Sequence, residues 1–285
     1  MEYSNPEIPE GINASKENPL KEFFLLLGGI GACIAATIII LSLLAGRLAV
    51  YIPFSTEEEL VAGGILPEGE GNPEVSAYLQ GLVDDLRDEL EAPEDMHFTV
   101  HYLNSDTENA YATLGGHIYM FRGLLELLPN ENALLLVLAH EMAHIKHRHP
   151  IIAMGRGVVI GLLLASITGL SGDYFVGQVV NSTGLVTLLA FNRDQEREAD
   201  ATALAAVARR NGHIAGSEDL FKILRDLESR DPINPPEFLR THPFGNHRIE
   251  NVRELAQQNH WNLEGGIIEI PPQIQKLVAE SELPQ

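Results

Sequence analysis

Residues 132–149 read NALLLVLAHEMAHIKHRH, and this stretch organises the rest of the chain. It is an apolar run with helical character that ends in His140-Glu141-Met142-Ala143-His144. Because positions four apart lie on one face of a helix, His140 and His144 can direct two imidazoles at a single metal ion. Glu141 then stands beside any water that the metal holds. The H-E-x-x-H spacing is typical of zinc-dependent hydrolases.

Two histidines do not complete such a site, since a catalytic zinc ion generally takes three protein ligands and keeps a fourth position for water. The sequence predicts a helix over residues 194–210, where Glu196 and Asp200 are four apart and share one face. We expect Glu196 to be the third ligand. Asp200 is expected to accept the free ring N–H of a liganding histidine and so to fix its orientation.

The chemistry of the site follows from these residue types. One zinc ion per chain would activate a water molecule, and Glu141 would take its proton and pass it to the leaving amine. The oxyanion that develops on the carbonyl needs a donor besides the metal. His242 is our candidate for this donor, with His247 and Arg248 as alternatives.

Three neighbouring polar residues receive no role in the site. Glu198 falls on a different face of its helix from Glu196 and is expected in solvent. His147 and His149 lie just past the H-E-x-x-H motif, and we interpret them as helix-end residues that favour the helix dipole.

The charge balance limits the classes of partner. The chain of 285 residues has 19 basic and 40 acidic residues, a formal net charge of −21. Nucleic acid is excluded as a partner because phosphate binding needs clustered lysine and arginine. Cys33 is the only cysteine, so no intramolecular disulfide can form.

The N-terminal part predicts a membrane anchor. After a polar tail over residues 1–22, the chain reads FFLLLGGIGACIAATIIILSLLA, and we place one transmembrane helix at residues 23–46, in contact with a lipid bilayer. The 23 apolar residues would span roughly 34 Å as a helix, enough for a bilayer core of about 30 Å. A buried core helix is the alternative, but such helices rarely lack a polar face for so long. Lys16 and Lys21 before the span, against Arg47 after it, favour a catalytic domain on the non-cytoplasmic (periplasmic) side.

The remaining chain predicts an α+β domain that is mainly helical, of zincin type, with an active-site helix and a small β-sheet. We divide it into a linker (47–74), a zinc metallopeptidase domain (75–262) and a C-terminal tail (263–285). The predicted elements before the active-site helix are a helix over 75–91 and strands over 97–103, 110–114 and 117–121. An apolar insert at 151–191 predicts two helices that pack on the catalytic core or dip into the membrane surface.

Four stretches together resemble the zinc metallopeptidases that include the HtpX heat-shock proteases and the CAAX prenyl proteases. They are NAYATLGGHIYMFR (109–122), LAHEMAHIKHRH (138–149), EREAD (196–200) and THPFGNHRI (241–249). The resemblance covers roughly residues 75–258 and implies zinc on His140, His144 and Glu196, with Glu141 as general base.

The resemblance also implies roles around the ligands. Asp200 matches the family's aspartate behind the metal ligands, and Arg248 matches the arginine that follows the His-Pro histidine. His242 matches that histidine, which relatives link to transition-state support or to gating of the metal. The segment 115–121 resembles the edge strand that pairs with an extended polypeptide substrate, through Gly116, His117, Ile118 and Tyr119.

The chain departs from both named groups of the family in one feature each. The HtpX proteases have two N-terminal spans where this chain has one, and the chain is too short for the multi-helix chamber of the prenyl proteases. It is therefore more similar to single-pass periplasmic or mitochondrial quality-control members. The resemblance implies an endopeptidase that cuts unfolded or misassembled membrane or envelope proteins. The alternatives are a processing peptidase with one target, and a non-catalytic zinc-binding chaperone or scaffold. The sequence does not indicate an oligomeric state.

Overall fold

The fold is described by a computed structural model over residues 18–62, 71–168, 191–230, 235–242 and 248–280. The helices within these ranges are α1 (Pro19–Ala49), α2 (Phe54–Ala62), α3 (Pro73–Arg87), α4 (Arg122–Leu127), α5 (Glu131–Lys146), α6 (His149–Thr168), α7 (Arg193–Asn211), α8 (Ser217–Arg230), α9 (Glu237–Thr241), α10 (Arg248–Asn259) and α11 (Pro272–Glu280). The strands are β1 (Thr99–Leu103), β2 (Ala110–Ala112) and β3 (His117–Phe121). The predicted α+β class, mainly helical with a small sheet, is confirmed.

The three strands form one sheet in the order β1-β3-β2. β1 runs parallel to β3, with Thr99 opposite His117, and β2 runs antiparallel to β3, with Tyr111 opposite Tyr119. Ile118 and Met120 are fully buried in the same core as α3, α5 and α7. The sheet therefore packs one face directly against the layer of helices that contains the active-site helix.

The prediction that Gly116, His117, Ile118 and Tyr119 form an edge strand is wrong. β3 has a hydrogen-bonded strand on each side, and Gly116 belongs to the short turn that precedes it. The alternation of apolar residues identifies a strand but not its neighbours, and the pairing with β1 joins residues far apart in sequence. Gly116 has a φ of 81°, and a Cβ atom there would collide with the carbonyl of His97.

Helix α5 is the most deeply buried element of the domain. Every residue from Asn132 to Ile145 is buried, as expected for a helix that is apolar on all sides. Asn130 caps it, because its side-chain oxygen accepts a hydrogen bond from the backbone of Ala133 at 2.9 Å.

Asn132, the alternative cap, has a different role. Its amide donates to the carbonyls of Ala215 (3.0 Å) and Gly266 (3.1 Å) and accepts from the backbone of Ile268 (2.9 Å). Asn132 thereby fastens two distant loops to the start of the active-site helix.

The predicted linker at 47–74 contains a helix. α2 buries Phe54, Glu57 and Val61, and a carboxylate at a buried position conceals the amphipathic pattern. Glu57 contacts Arg148 at 2.7 Å and accepts a hydrogen bond from the backbone of Gly115 at 3.2 Å. Burial raises the pKa of Glu57, although both contacts oppose this rise. Residues 63–70 of this segment lie outside the described ranges.

The predicted C-terminal tail at 263–285 is also partly structured. The carbonyl of Ile268 accepts a hydrogen bond from the backbone of Glu131 at 2.8 Å, at the start of α5. Ile270, Ile274 and Val278 are buried in the main core, so the packed domain extends beyond residue 262.

Helix α1 extends beyond the predicted span at both ends. Asn18 caps it with Pro19 in the first turn, and most of its apolar residues are exposed. Among the described residues, α1 alone is long and apolar enough to cross a membrane. The predicted polar tail lies outside the described ranges up to residue 17.

Helix α6 packs along the C-terminal half of α1. Gly46 faces the side chains of Ile152 and Arg156, and Gly155 faces Ala45 and Ala49. The partly or fully buried positions of α1 follow a helical period and form one stripe: Ile38, Ser42, Ala45, Gly46 and Ala49. The first half of the predicted insert is thus one helix, while residues 169–190 lie outside the described ranges.

The Asn132 contacts predict a measurable contribution to stability. Asn132→Ala leaves two carbonyls and one backbone N–H without their partner, so we expect the free energy of unfolding to fall by about 2 kcal/mol. Urea denaturation in detergent solution measures this change. Asn259→Ala, which removes a single exposed hydrogen bond to Leu255, is the matched control and should change the value by no more than about 0.5 kcal/mol. Equal effects of the two substitutions would contradict the anchoring role.

Candidate metal centre

Two neighbouring helices supply five of the predicted site residues. α5 carries His140, Glu141 and His144, and α7, which packs beside it, carries Glu196 and Asp200. A capping box fixes the start of α7: the side chain of Asn192 accepts from the backbone of Gln195 at 3.1 Å, and the Gln195 side chain accepts from the backbone of Asn192 at 3.2 Å. Glu196 therefore lies in the first turn of α7, where the helix dipole stabilises a negative charge.

The three predicted ligands converge on one point. The Nε2 atoms of His140 and His144 are 3.0 Å apart. Glu196 places Oε1 3.4 Å from His144 Nε2 and Oε2 3.4 Å from His140 Nε2. All three side chains are buried. The arrangement brings two imidazoles and one carboxylate together, as the four-residue spacings predict.

His242 lies inside this cluster and not to one side of it. Its Nδ1 atom is 3.1 Å from Glu196 Oε1 and 3.3 Å from His140 Nε2, and its ring is fully buried. Ligand atoms of His140, His144, Glu196 and His242 all lie within 4.8 Å of one another. We expected an oxyanion donor at this position, but the geometry makes His242 a candidate fourth ligand.

Glu141 lies next to the cluster with both carboxylate oxygens buried. Neither oxygen has a hydrogen-bond partner among the described residues, and Oε1 is 3.5 Å from His242 Nε2. A buried carboxylate without partners is costly. A metal ion with its water would supply those partners, and a set of two imidazoles and a carboxylate is one that zinc prefers. The residues therefore fit a zinc ion.

Asp200 and Arg248 support the cluster from behind. Asp200 Oδ1 is 3.0 Å from His140 Nδ1, so the ring donates there and leaves Nε2 for a metal. Arg248 donates two hydrogen bonds to Asp200, Nε to Oδ2 at 2.9 Å and Nη2 to Oδ1 at 2.6 Å. Its Nη1 atom lies 3.4 Å from Glu196 Oε2. One guanidinium thus contacts both Asp200 and Glu196.

The pKa values reflect these charges. Burial favours the neutral acid at Asp200, but Arg248 and His140 hold the pKa of Asp200 below its usual value. Burial likewise opposes protonation of His140, but Asp200 and Glu196 raise the pKa of His140 to about 10. For His144, burial and the neighbouring His140 lower the pKa. A metal ion bound at His140 Nε2 would compete with the proton that these carboxylates favour.

Phe191 is a site residue that the sequence analysis missed. Its ring stacks on His144 with the centroids 3.9 Å apart and an angle of 18° between the planes. Its backbone N–H donates to the carbonyl of Thr241 at 3.0 Å, one residue before His242. Phe191 immediately precedes the capping residue of α7, and no motif in the sequence marks it.

The interpretation of His149 as a helix-end residue without a role is wrong. Arg148 has a φ of 62°, so the chain turns between α5 and α6 and brings His149 back to the site. The Nδ1 atoms of His149 and His144 are 2.8 Å apart. Burial, with the neighbouring His147, lowers the pKa of His149 to about 3, so this ring is neutral.

The expectation that Glu198 lies in solvent is only half right. Its side chain is about half exposed, but Oε1 is 3.3 Å from His147 Nδ1 and Oε2 is 3.3 Å from His149 Nε2. Periodicity placed it on a different face from Glu196 but could not show that two histidines from beyond α5 approach that face. His247 lies outside the described ranges.

Residues of β3 make their ring and polar contacts within the sheet. His117 Nδ1 is 2.8 Å from His101 Nε2, and Tyr119 stacks on His101 and Tyr111 with centroid distances of 4.8 and 5.0 Å.

Comparison with known proteins places the chain among metallopeptidases. The profile of Peptidase family M48 matches residues 73–256. The chain is 30% identical over 177 residues to the beta-barrel assembly-enhancing protease of Yersinia pestis, an alignment that covers 56% of this chain and 35% of that protein. It is 28% identical over 174 residues to the protein of the same name from Escherichia coli, with 56% and 35% covered.

A mitochondrial relative shows a similar degree of identity. The mitochondrial metalloendopeptidase OMA1 of Schizosaccharomyces pombe is 31% identical over 163 residues, with 56% of this chain and 47% of that protein covered. The chain thus spans between a third and a half of the length of these relatives. The family profile, however, covers well over half of the chain and contains His140, His144, Glu196 and His242, and the chain belongs to peptidase family M48.

Proposed function

We propose that the chain is a zinc-dependent endopeptidase with one zinc ion on His140, His144 and Glu196. The observation that carries this proposal is the convergence of buried ligand atoms within 4.8 Å, beside the unpartnered carboxylate of Glu141. When bound, zinc supplies Lewis-acid chemistry to a water molecule and to the scissile carbonyl. Glu141 accepts the proton of the attacking water and donates it to the leaving amine.

His242 gives this site a closed form. A zinc ion held by all four of these side chains would have no position left for water or substrate. The ring of His242 stacks on Phe238 at 4.6 Å, and its backbone N–H donates to the carbonyl of Phe238 at 2.8 Å, so α9 holds it in place. Catalysis would then require His242 to leave the cluster, and we assign it a gating role.

The substrate is an unfolded or misassembled membrane or envelope protein, bound in extended form. Relatives named for β-barrel assembly and for mitochondrial metalloendopeptidase activity support this class. Within the described residues, the outer edge of β1 is occupied: Gly71 donates to Tyr102 at 2.8 Å, and Gln80 accepts from Val100 at 2.9 Å. β2 is the other edge of the sheet, and we assign substrate pairing to it in place of β3. Its three residues are buried and α9 contacts it, so this pairing requires α9 to move aside.

α1 anchors the domain in the bilayer as a single span, with the catalytic domain on the non-cytoplasmic side. The stripe of α1 that packs on α6 supports a second contact with lipid, because α6 beyond Arg156 then lies beside the membrane-spanning part of α1. From Gly157 to Thr168, α6 has no charged residue. The described part of α6 therefore enters the same bilayer, and the metal site lies close to the membrane surface.

Two other functions compete with this one. A processing peptidase would use the same chemistry on one target and leave unfolded casein intact. A zinc-binding chaperone or scaffold would have no need for a general base, and the buried Glu141 beside the ligands favours catalysis.

The role of Glu141 predicts the behaviour of an isosteric variant. Glu141→Gln keeps the shape of the side chain but cannot take a proton, so we expect casein cleavage to fall by about 10²–10⁴-fold. Zinc content, measured by atomic absorption, should stay near one ion per chain, because Glu141 is not a ligand. Cleavage at the wild-type rate would contradict the mechanism.

The gating role of His242 predicts a gain of activity. His242→Ala opens the fourth position, so we expect casein cleavage to increase severalfold while three ligands still retain the metal. Steady-state kinetics separates this role from the oxyanion role: a fall in kcat at constant KM would assign His242 to transition-state stabilisation instead.

The position of α6 predicts protection by lipid. Leu162 lies on the part of α6 that follows Arg156 and is half exposed, so lipid would cover the part of its side chain that the protein does not. In a Cys33→Ser background, Leu162→Cys should therefore resist a membrane-impermeant maleimide in vesicles. Asp88→Cys, exposed on the catalytic domain, is the control and should react in vesicles with the domain outside. Equal labelling of the two sites would place α6 in water.

A further inference from the structure

The two liganding histidines of α5 have different partners on their outer nitrogens. His140 directs Nδ1 at the carboxylate of Asp200. His144 directs Nδ1 at another imidazole, that of His149, at 2.8 Å. Because the Nε2 atom of His144 faces the other ligands, its ring proton belongs on Nδ1, and His149 Nδ1 must accept it.

The second nitrogen of His149 continues the chain of contacts. With Nδ1 acting as acceptor, the proton of the neutral ring is on Nε2, which lies 3.3 Å from Glu198 Oε2. The other oxygen of Glu198 lies 3.3 Å from His147 Nδ1, and His147 Nε2 is 2.8 Å from the Thr202 hydroxyl. Donors and acceptors alternate along the whole series, from His144 to Glu198.

The backbone and the burial of His149 fit this role. Its side chain is almost fully buried, and the Phe191 ring lies 5.7 Å away, so protein groups surround the contact. The turn that brings His149 inward is held by Arg148, in its left-handed conformation, through the ion pair of 2.7 Å with buried Glu57. A residue that only ended a helix would not need this support.

We propose that His149, held by Glu198, positions His144 for metal binding. Every acidic residue of the stretch 196–200 then acts on the metal centre: Glu196 as a ligand, Asp200 through His140, and Glu198 through His149 and His144. This inference rests on the proposed function, in that it assumes the metal on His144. Both His149 and Glu198 are positioning residues and do not touch the substrate.

Zinc affinity tests this role directly. Loss of a group that orients a liganding histidine costs 10–100-fold in metal affinity. His149→Phe fills the space but removes the acceptor, so we expect zinc to bind about 10–100-fold more weakly. His149→Asn offers an amide oxygen at the position of Nδ1 and should recover most of the affinity. The measurement is competition with a chromophoric chelator, on the full chain in detergent.

His147→Phe is the matched control. His147 shares the contact with Glu198, but the described contacts do not join it to His144, so its variant should stay within about threefold of wild type. Glu198→Ala, at a half-exposed position that the fold tolerates, gives a second variant and should weaken zinc binding by about 3–10-fold. Circular dichroism establishes whether each variant is folded. If His149→Phe does not fold, Glu198→Ala decides the outcome.

The outcomes separate this inference from the proposed function. Wild-type affinity in both His149→Phe and Glu198→Ala, or equal losses in His147→Phe and His149→Phe, would overturn the positioning role. The visible spectrum of the cobalt-substituted chain should also change in His149→Phe and not in His147→Phe. A wild-type chain that binds zinc but does not cleave casein would refute the peptidase proposal and leave the positioning role intact.

Discussion

Burial of carboxylates next to imidazoles is the constraint on which the rest of the structure depends. Glu141, Glu196 and Asp200 lie in the interior, where an uncompensated negative charge is expensive. Arg248 compensates part of it through two hydrogen bonds to Asp200. Hydrogen bonds to Asp200 and Glu196 raise the pKa of His140 against the opposing effect of burial. A divalent ion held by the same side chains would compensate these carboxylates in place of a proton.

The segments around α5 fix the position of the helix that carries His140, Glu141 and His144. Asn130 caps its start, Asn132 fastens that start to distant loops, and the Glu57–Arg148 ion pair fixes the turn at its end. That ion pair also connects α2, which follows α1, to the turn between α5 and α6. The segment that follows α1 and the helix that carries the metal ligands therefore meet at one buried contact.

Local periodicity predicts most of the site and little of its surroundings. Spacings of four residues are enough to pair His140 with His144, and Glu196 with Asp200, because helix geometry alone brings such residues together. The neighbours of β3 and the inward turn of His149 depend on contacts between segments far apart in sequence. The amphipathic pattern also did not reveal α2, because Glu57 occupies one of its buried positions. The partner of this carboxylate, Arg148, is more than ninety residues away in the sequence.

Two segments far apart in sequence complete the cluster around His140 and His144. Phe191 stacks on His144, and His242 lies among the ligands, while one backbone hydrogen bond from Phe191 to Thr241 joins the two segments. Because Thr241 directly precedes His242, this hydrogen bond links the backbone that carries the ring lying on His144 to the backbone that carries the imidazole among the ligands. The position of Phe191 over His144 and the position of His242 in the cluster therefore depend on the same contact between two segments far apart in sequence.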